Sequence, residues 1–168
     1  MNTSEVLADG YARIEGTVHR VLDSLDEDSL SARLDEGGNS IAWLVWHLAR
    51  VQDDHIADVA GSEQVWTASG FFDRFGLPFD EAATGYGHRP AEVAQVSAPA
   101  TLLREYFDAT HAATLAFLAS LSEADLDRVV DTRWDPPVTL GVRLVSVIAD
   151  GLQHAGQAAF IRGTIERA

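Results

Sequence analysis

Leu7, Tyr11, Ile14, Val18, Val21 and Leu25 follow one another at steps of four and three, so a helix would carry them as one stripe. The same period returns in three further segments. That recurrence constrains the chain more than any other feature, because an apolar stripe is stable only against another apolar surface. The first segment runs from about Ser4 to Leu25, with Thr3 or Ser4 placed to cap it. The second starts after Asn39-Ser40 and continues to about Val59 ahead of Gly61, with Ile41, Leu44, Leu48, Val51 and Val59 on its buried side. The third spans about Ala98 to Leu121, capped by Ser97 with Pro99 in the first turn; Leu103, Phe107, Thr110, Thr114, Phe117 and Leu121 line its face. The fourth begins after Thr139 and reaches about Arg167. An all-α four-helix bundle is expected, built as one domain over residues 1–168.

The connections are less regular. A turn of helix is expected around Asp26 to Leu34, before Gly37-Gly38. Ser122-Glu-Ala-Asp125 reads as a capping box on a short helix, and Trp134-Asp-Pro-Pro137 forces an extended turn. The stretch from Ala60 to Ser97 is far longer than the roughly 2–8 residues that usually join bundle helices. Trp66, Phe71, Phe72, Phe75 and Phe79 predict that it is ordered and packed. Such a segment can carry the chain back along the bundle and leave the second and third helices parallel. Long connections are also frequent carriers of function.

Charge and composition narrow the chemistry. With 12 basic and 26 acidic residues the net charge is −14, which opposes nucleic acid and anionic membrane surfaces. No basic stripe argues the other way. No apolar run is long enough for a bilayer span, and the first residues lack the pattern of a signal peptide, so a cytoplasmic location is expected. Every basic residue is arginine, so Schiff-base lysine and phosphate-loop lysine chemistry are excluded. There is no cysteine, hence no disulfide, no thiolate ligand and no cysteine nucleophile. A thiol reaction would need a thiol from outside. There is no Gly-x-Ser-x-Gly elbow and no phosphate-binding glycine fingerprint.

Three polar residues interrupt the apolar patterns: His47 in the second helix, Asp150 and His154 in the fourth. Asp150 and His154 lie four apart, one above the other on a helix face. One reading is a hydrogen-bonded pair in a bundle core. The other is an N,N,O metal site completed by His47, with positions left open. Asp150 follows Leu144, Val145, Val147 and Ile148, where an unpaired carboxylate would cost several kcal/mol or take up a proton. A divalent cation relieves that cost; zinc suits the set first, with nickel, iron or manganese also compatible. His19, His55, His88 and His111 compete with His47. His55 is turned about 80° from His47 on a helix, and Asp53, Asp54 and His55 read as a solvated helix end. His111 reads as surface or rim, and His88 as a residue of a pocket mouth.

Trp43-Leu-Val-Trp-His-Leu-Ala-Arg-Val-Gln-Asp-Asp-His55 and Asp150-Gly-Leu-Gln-His-Ala-Gly-Gln157 together resemble the DinB-like superfamily. They are most similar to its actinobacterial branch, which is related to mycothiol-dependent maleylpyruvate isomerase and mycothiol S-transferases. The resemblance covers residues 5 to 167 and implies an up-down-down-up bundle whose long crossover joins helices two and three. It implies a divalent metal held by His47, Asp150 and His154, and a homodimer. Many members carry His at the position of Asp150, and the isomerase carries Glu; Asp keeps the carboxylate class on a shorter arm. The implied activity is metal-dependent transfer or isomerisation with a low-molecular-mass thiol such as mycothiol acting on a small electrophile. The metal would lower the thiol pKa, Gln153, Gln157 and Arg50 would make supporting contacts, and residues 60 to 97 would shape the electrophile pocket. Two other readings stay open: a metal-dependent hydrolase on the same scaffold, and a non-catalytic, stress-related metal-binding bundle.

Overall fold

The computed structural model describes residues 1–167. Four long helices form the body: α1 (Thr3–Leu22), α3 (Ile41–Ala60), α7 (Ala100–Ala119) and α8 (Leu140–Ile165). Between them lie α2 (Glu27–Ser31), α4 (Val65–Ala68), α5 (Phe71–Phe75), α6 (Pro90–Val93) and a 3-10 turn over Glu123–Asp127. The described residues are therefore all-α apart from one hairpin, β1 (Val129–Asp131) paired antiparallel with β2 (Val138–Thr139). That hairpin brackets the expected Trp134–Pro137 turn. Its two short strands carry no alternating pattern long enough to be read from sequence.

Local sequence explains most helix ends. Ser40 accepts a hydrogen bond from the Trp43 amide at 3.1 Å and starts α3. Its far end closes on Gly61, whose left-handed backbone (φ 67°) lets the amides of residues 61 and 62 reach Asp58 and Ala57. Two expected caps differ. Asn2, not Thr3 or Ser4, caps α1, because Glu5 answers its amide and completes a reciprocal box. Ser97 does not cap α7, which starts after Pro99 with no side-chain cap.

α8 packs on α1 and α3, and α7 packs on the same two helices from the other side. Partners along α3 and α8 run in opposite directions, from His47 beside His154 to His55 beside Arg143. Partners along α1 and α8 run in the same direction: the Tyr11 hydroxyl reaches the Leu144 carbonyl, and Arg162 reaches the carbonyls of Arg20, Val21 and Asp23. The α1–α8 approach is close because Gly151 has no side chain. A Cβ there would stand 2.8 Å from Ile14 Cδ1, well inside contact distance. Glycine costs a helix roughly 1 kcal/mol relative to alanine, and here it seats α8 and with it the neighbouring Asp150.

The long connection is a packed layer of three short helices. Trp66, Phe71 and Phe75 are buried, with Trp66, Phe71 and Phe75 rings gathered around Tyr106 of α7. Arg50 and Asp53 of α3 fasten this layer. Arg50 is fully buried and donates to the Gln64 side chain (2.7 Å), the Tyr106 hydroxyl (3.3 Å) and the Ala83 carbonyl (3.1 Å). Asp53 accepts from the amides of Val65 and Trp66 and from the Tyr106 hydroxyl, all at 2.8–2.9 Å, so it caps α4 from a neighbouring helix. The expectation of a solvated helix end at Asp53 is thus corrected: its carboxylate is buried because the crossover folds over it. Arg50 is corrected too, since its donors are spent on the crossover rather than beside the polar trio.

Candidate metal centre

His47 comes from the first half of α3, two turns after the Ser40 cap and within the buried run Ile41–Arg50. Trp43, one turn earlier, stacks on its ring with centroids 4.5 Å apart and planes within 16°. The His47 Nδ1 lies 2.5 Å from the Thr84 carbonyl. A carbonyl only accepts, so Nδ1 carries the proton and Nε2 keeps its lone pair. Gly85 permits this contact. Its backbone is left-handed (φ +92°), and a Cβ would stand 2.8 Å from His47 Nδ1 and 2.9 Å from the Trp46 ring. Burial pushes the His47 pKa down, which favours the neutral imidazole.

His154 and Asp150 arrive from α8. The His154 ring meets that of His47 edge-on at 4.8 Å. Its Nδ1 lies 3.1 Å from the Gln157 carboxamide oxygen, and its Nε2 lies 3.4 Å from Asp150 Oδ1. One ligand-type atom from each of His47, Asp150 and His154 lies within 4.8 Å of the other two. The hydrogen bond to Asp150 raises the His154 pKa, and the two histidines help hold the Asp150 carboxyl below its ordinary range against the opposing effect of burial. Asp150 Oδ2 is buried without any hydrogen-bond partner. An anionic oxygen in that position is unfinished, and beside it the unpartnered Nε2 of His47 and the Nε2 of His154, held only by the long contact to Asp150 Oδ1, make a donor set that a divalent cation completes. The residues present therefore fit a metal.

The wider surroundings differ from expectation in several places. Val145 and Val142 are exposed, so the apolar run before Asp150 is partly a solvent-facing stripe. Gln157 contacts His154 as expected, whereas the exposed Gln153 bonds back to the Ala149 carbonyl. His88 lies inside the crossover rather than at a pocket mouth: it accepts from the Trp43 indole at 3.2 Å and stacks on Trp46. His111 is buried, not at the surface or rim.

A cavity of about 620 Å³ opens beside His47 and Asp150. One wall is polar. Arg143 reaches His55 Nδ1 at 2.9 Å and Asp131 at 3.1 Å, while Arg133 holds the same carboxylate at 2.8 Å. The paired guanidinium of Arg133, with its amide, keeps Asp131 well below the usual carboxylate range. Burial and the Arg143 charge lower the His55 pKa. The rim carries Tyr86 and Trp134, both largely exposed. Sequence reasoning missed this wall. The one available signal was Arg143 lying seven residues, about two turns, before Asp150 on the same side of α8.

Bundle, crossover and polar trio together define a protein of the DinB-like class. Within that class the chain belongs to the mycothiol S-transferase family, which it matches over residues 11–167. It is also similar to a conserved protein from Enterococcus faecalis, known from a crystal structure, with a TM-score of 0.91, 31% identity and 96% of each chain covered. No curated protein matches the sequence significantly. Among the described residues no helix is long and apolar enough to cross a membrane.

Proposed function

We propose that the protein transfers a low-molecular-mass thiol of the mycothiol kind to a small electrophile, or isomerises a substrate through such a thiol, with a divalent cation held by His47, Asp150 and His154. The carrying observation is the unpartnered, buried Asp150 Oδ2 beside two imidazoles at the head of an open cavity. When bound, a divalent cation acts there as a Lewis acid and lowers the pKa of an incoming thiol. The chain does the rest. Thr84 and Gln157 hold the two imidazoles with Nε2 turned away from their Nδ1 contacts. Arg143, Asp131 and His55 offer a charged and hydrogen-bonding wall for the polar groups of a thiol cofactor. Tyr86 and Trp134 offer apolar surface to the electrophile. The absence of cysteine leaves the external thiol as the only sulfur nucleophile.

A homodimer is part of this reading. Val142, Val145, Leu152 and Phe160 are exposed along one face of α8, turned away from the core, and a second copy would cover them. Light scattering of the purified protein reads this directly.

The activity test follows loss of mycothiol, or of a cysteinyl-glycoside analogue, in the presence of a soft electrophile. Turnover is expected with zinc-loaded protein, and loss of turnover after chelation or in His154→Ala. Equal rates with and without chelator would overturn metal dependence. Metal-dependent turnover of an ester or amide with no thiol present would replace transfer by hydrolysis.

A further inference from the structure

On the other side of the bundle, α1 and α7 bring together a second set of ligand-type groups. Glu15 and His19 are one turn apart on α1; Asp108 and His111 are one turn apart on α7. His19 Nε2 lies 2.6 Å from Asp108 Oδ1, and His111 Nε2 lies 3.6 Å from Glu15 Oε2. One ligand-type atom from each of Glu15, His19 and Asp108 lies within 4.8 Å of the other two, the same closeness found in the trio of α3 and α8. We propose that this seam is a second divalent-cation site, ligated by Glu15, His19 and Asp108 with His111 on its buried side.

Ordinary interhelical ion pairs account for part of the arrangement, but not for His111. This ring is 4% exposed, makes no hydrogen bond from either nitrogen within 3.5 Å, and leaves Nδ1 buried without a partner. It is stacked on Phe107 at 5.9 Å with planes 19° apart, so its direction is fixed, with Nε2 toward Glu15. The nitrogen that faces the seam, Nε2, meets only Glu15 at 3.6 Å, beyond hydrogen-bonding distance, and such an under-bonded buried imidazole calls for a further partner there. Burial also favours its neutral form, which is the ligand form. The nearby Arg104 does not fill the space, since it donates to the His19 backbone carbonyl at 3.1 Å.

Glu15, His19 and Asp108 supply two carboxylates and one imidazole, a set that is neutral with a divalent cation and leaves a fourth position facing His111. Carboxylate and imidazole one turn apart on each of two facing helices is a recurrent way to build a metal centre in a bundle. Tetrahedral ligands at zinc stand about 3.4 Å from one another, so the present separations need only rotamer adjustments of about 1 Å. No residue is shared with the α3–α8 trio, and the site is structural in character: it clamps α1 to α7 at a seam held on the opposite side of the core from the cavity.

The test removes the first site and counts what is left. Metal-free His47→Ala/His154→Ala protein is titrated with Zn²⁺ against a chromophoric chelator, with thermal unfolding followed in parallel. One equivalent is expected to bind and to raise Tm, whereas adding His19→Gln and Asp108→Asn abolishes both effects. His19 and Asp108 are each more than one third exposed, so these two substitutions leave the fold intact, as circular dichroism will register. Should the double alanine variant fail to fold, the wild type is compared with His19→Gln/Asp108→Asn: two equivalents falling to one supports the site. Equal stoichiometry in those two proteins overturns it. So does zinc binding weaker than about 1 mM in the folded double alanine variant.

Discussion

Two groups of polar side chains lie within two turns of each other on α3, and they are finished in opposite ways. Arg50 and Asp53 are both buried, and each side-chain nitrogen and oxygen they carry has a hydrogen-bond partner. His47, with Asp150 and His154 across the seam, is less deeply enclosed yet incomplete: Asp150 Oδ2 has no partner, and a cavity stands beside it. Saturation marks the first group as structural, because no valence is left for a ligand. Incompleteness marks the second as a place for something else. The sequence presents His47, Arg50 and Asp53 alike as polar residues of one helix, and only their bonding separates them.

The comparison breaks most readily at Arg50. Replacing it with methionine leaves Asp53 buried beside an emptied position, and a loss of about 3–5 kcal/mol in denaturant-unfolding stability is expected. The metal-to-protein ratio of whatever folds should be unchanged. A variant that lost metal first would show that the two groups are one system.

Gly85→Ala probes the junction between them, since residue 85 belongs to the crossover yet touches His47. Left-handed backbone costs alanine roughly 1–2 kcal/mol, and the added methyl displaces the imidazole. Zinc affinity should fall about 10–100-fold, the range for loss of a contact that orients a ligand. Titration of the folded variant decides; unaltered affinity would mean that the Thr84 carbonyl does not set the His47 ring.

The smallest effect concerns the cavity wall. The folded-state pKa of Asp131 is depressed below its unfolded value, so its pairing stabilises the protein fully above about pH 4 and is lost as pH falls through the folded value. Asp131→Asn should therefore flatten the fall of Tm between neutral and acid pH and lower Tm modestly at neutral pH. An identical acid profile in both proteins would remove Asp131 from the pH dependence.

Much of this molecule was legible in the chain. The steps of four and three in α1, the Ser40 and Gly61 ends of α3, the Ser122–Asp125 box and the aromatic crossover all follow from local rules, because their signals lie within a turn or two of where they act. His47, Asp150 and His154 could be singled out because a polar residue in an apolar helix needs a reason. Asp53, His88 and His111 were misplaced for the converse reason: each sits at an unremarkable helical or loop position, and its burial comes from a segment distant in sequence.

The sequence by itself determined an all-α bundle and the lack of any internal sulfur nucleophile. Periodicity and composition carry that information without reference to neighbours, whereas the grouping of His47 with Asp150 and His154 was only implied by the family resemblance. The tertiary structure decided which polar groups are satisfied. It placed the Thr84 carbonyl on His47, spent Arg50 on the crossover, built the Arg143–Asp131–His55 wall, and left Asp150 Oδ2 and His111 Nδ1 without partners. Hydrogen-bond valence is settled by contacts between segments far apart in the chain, so a single stretch of sequence cannot reveal where it is left open.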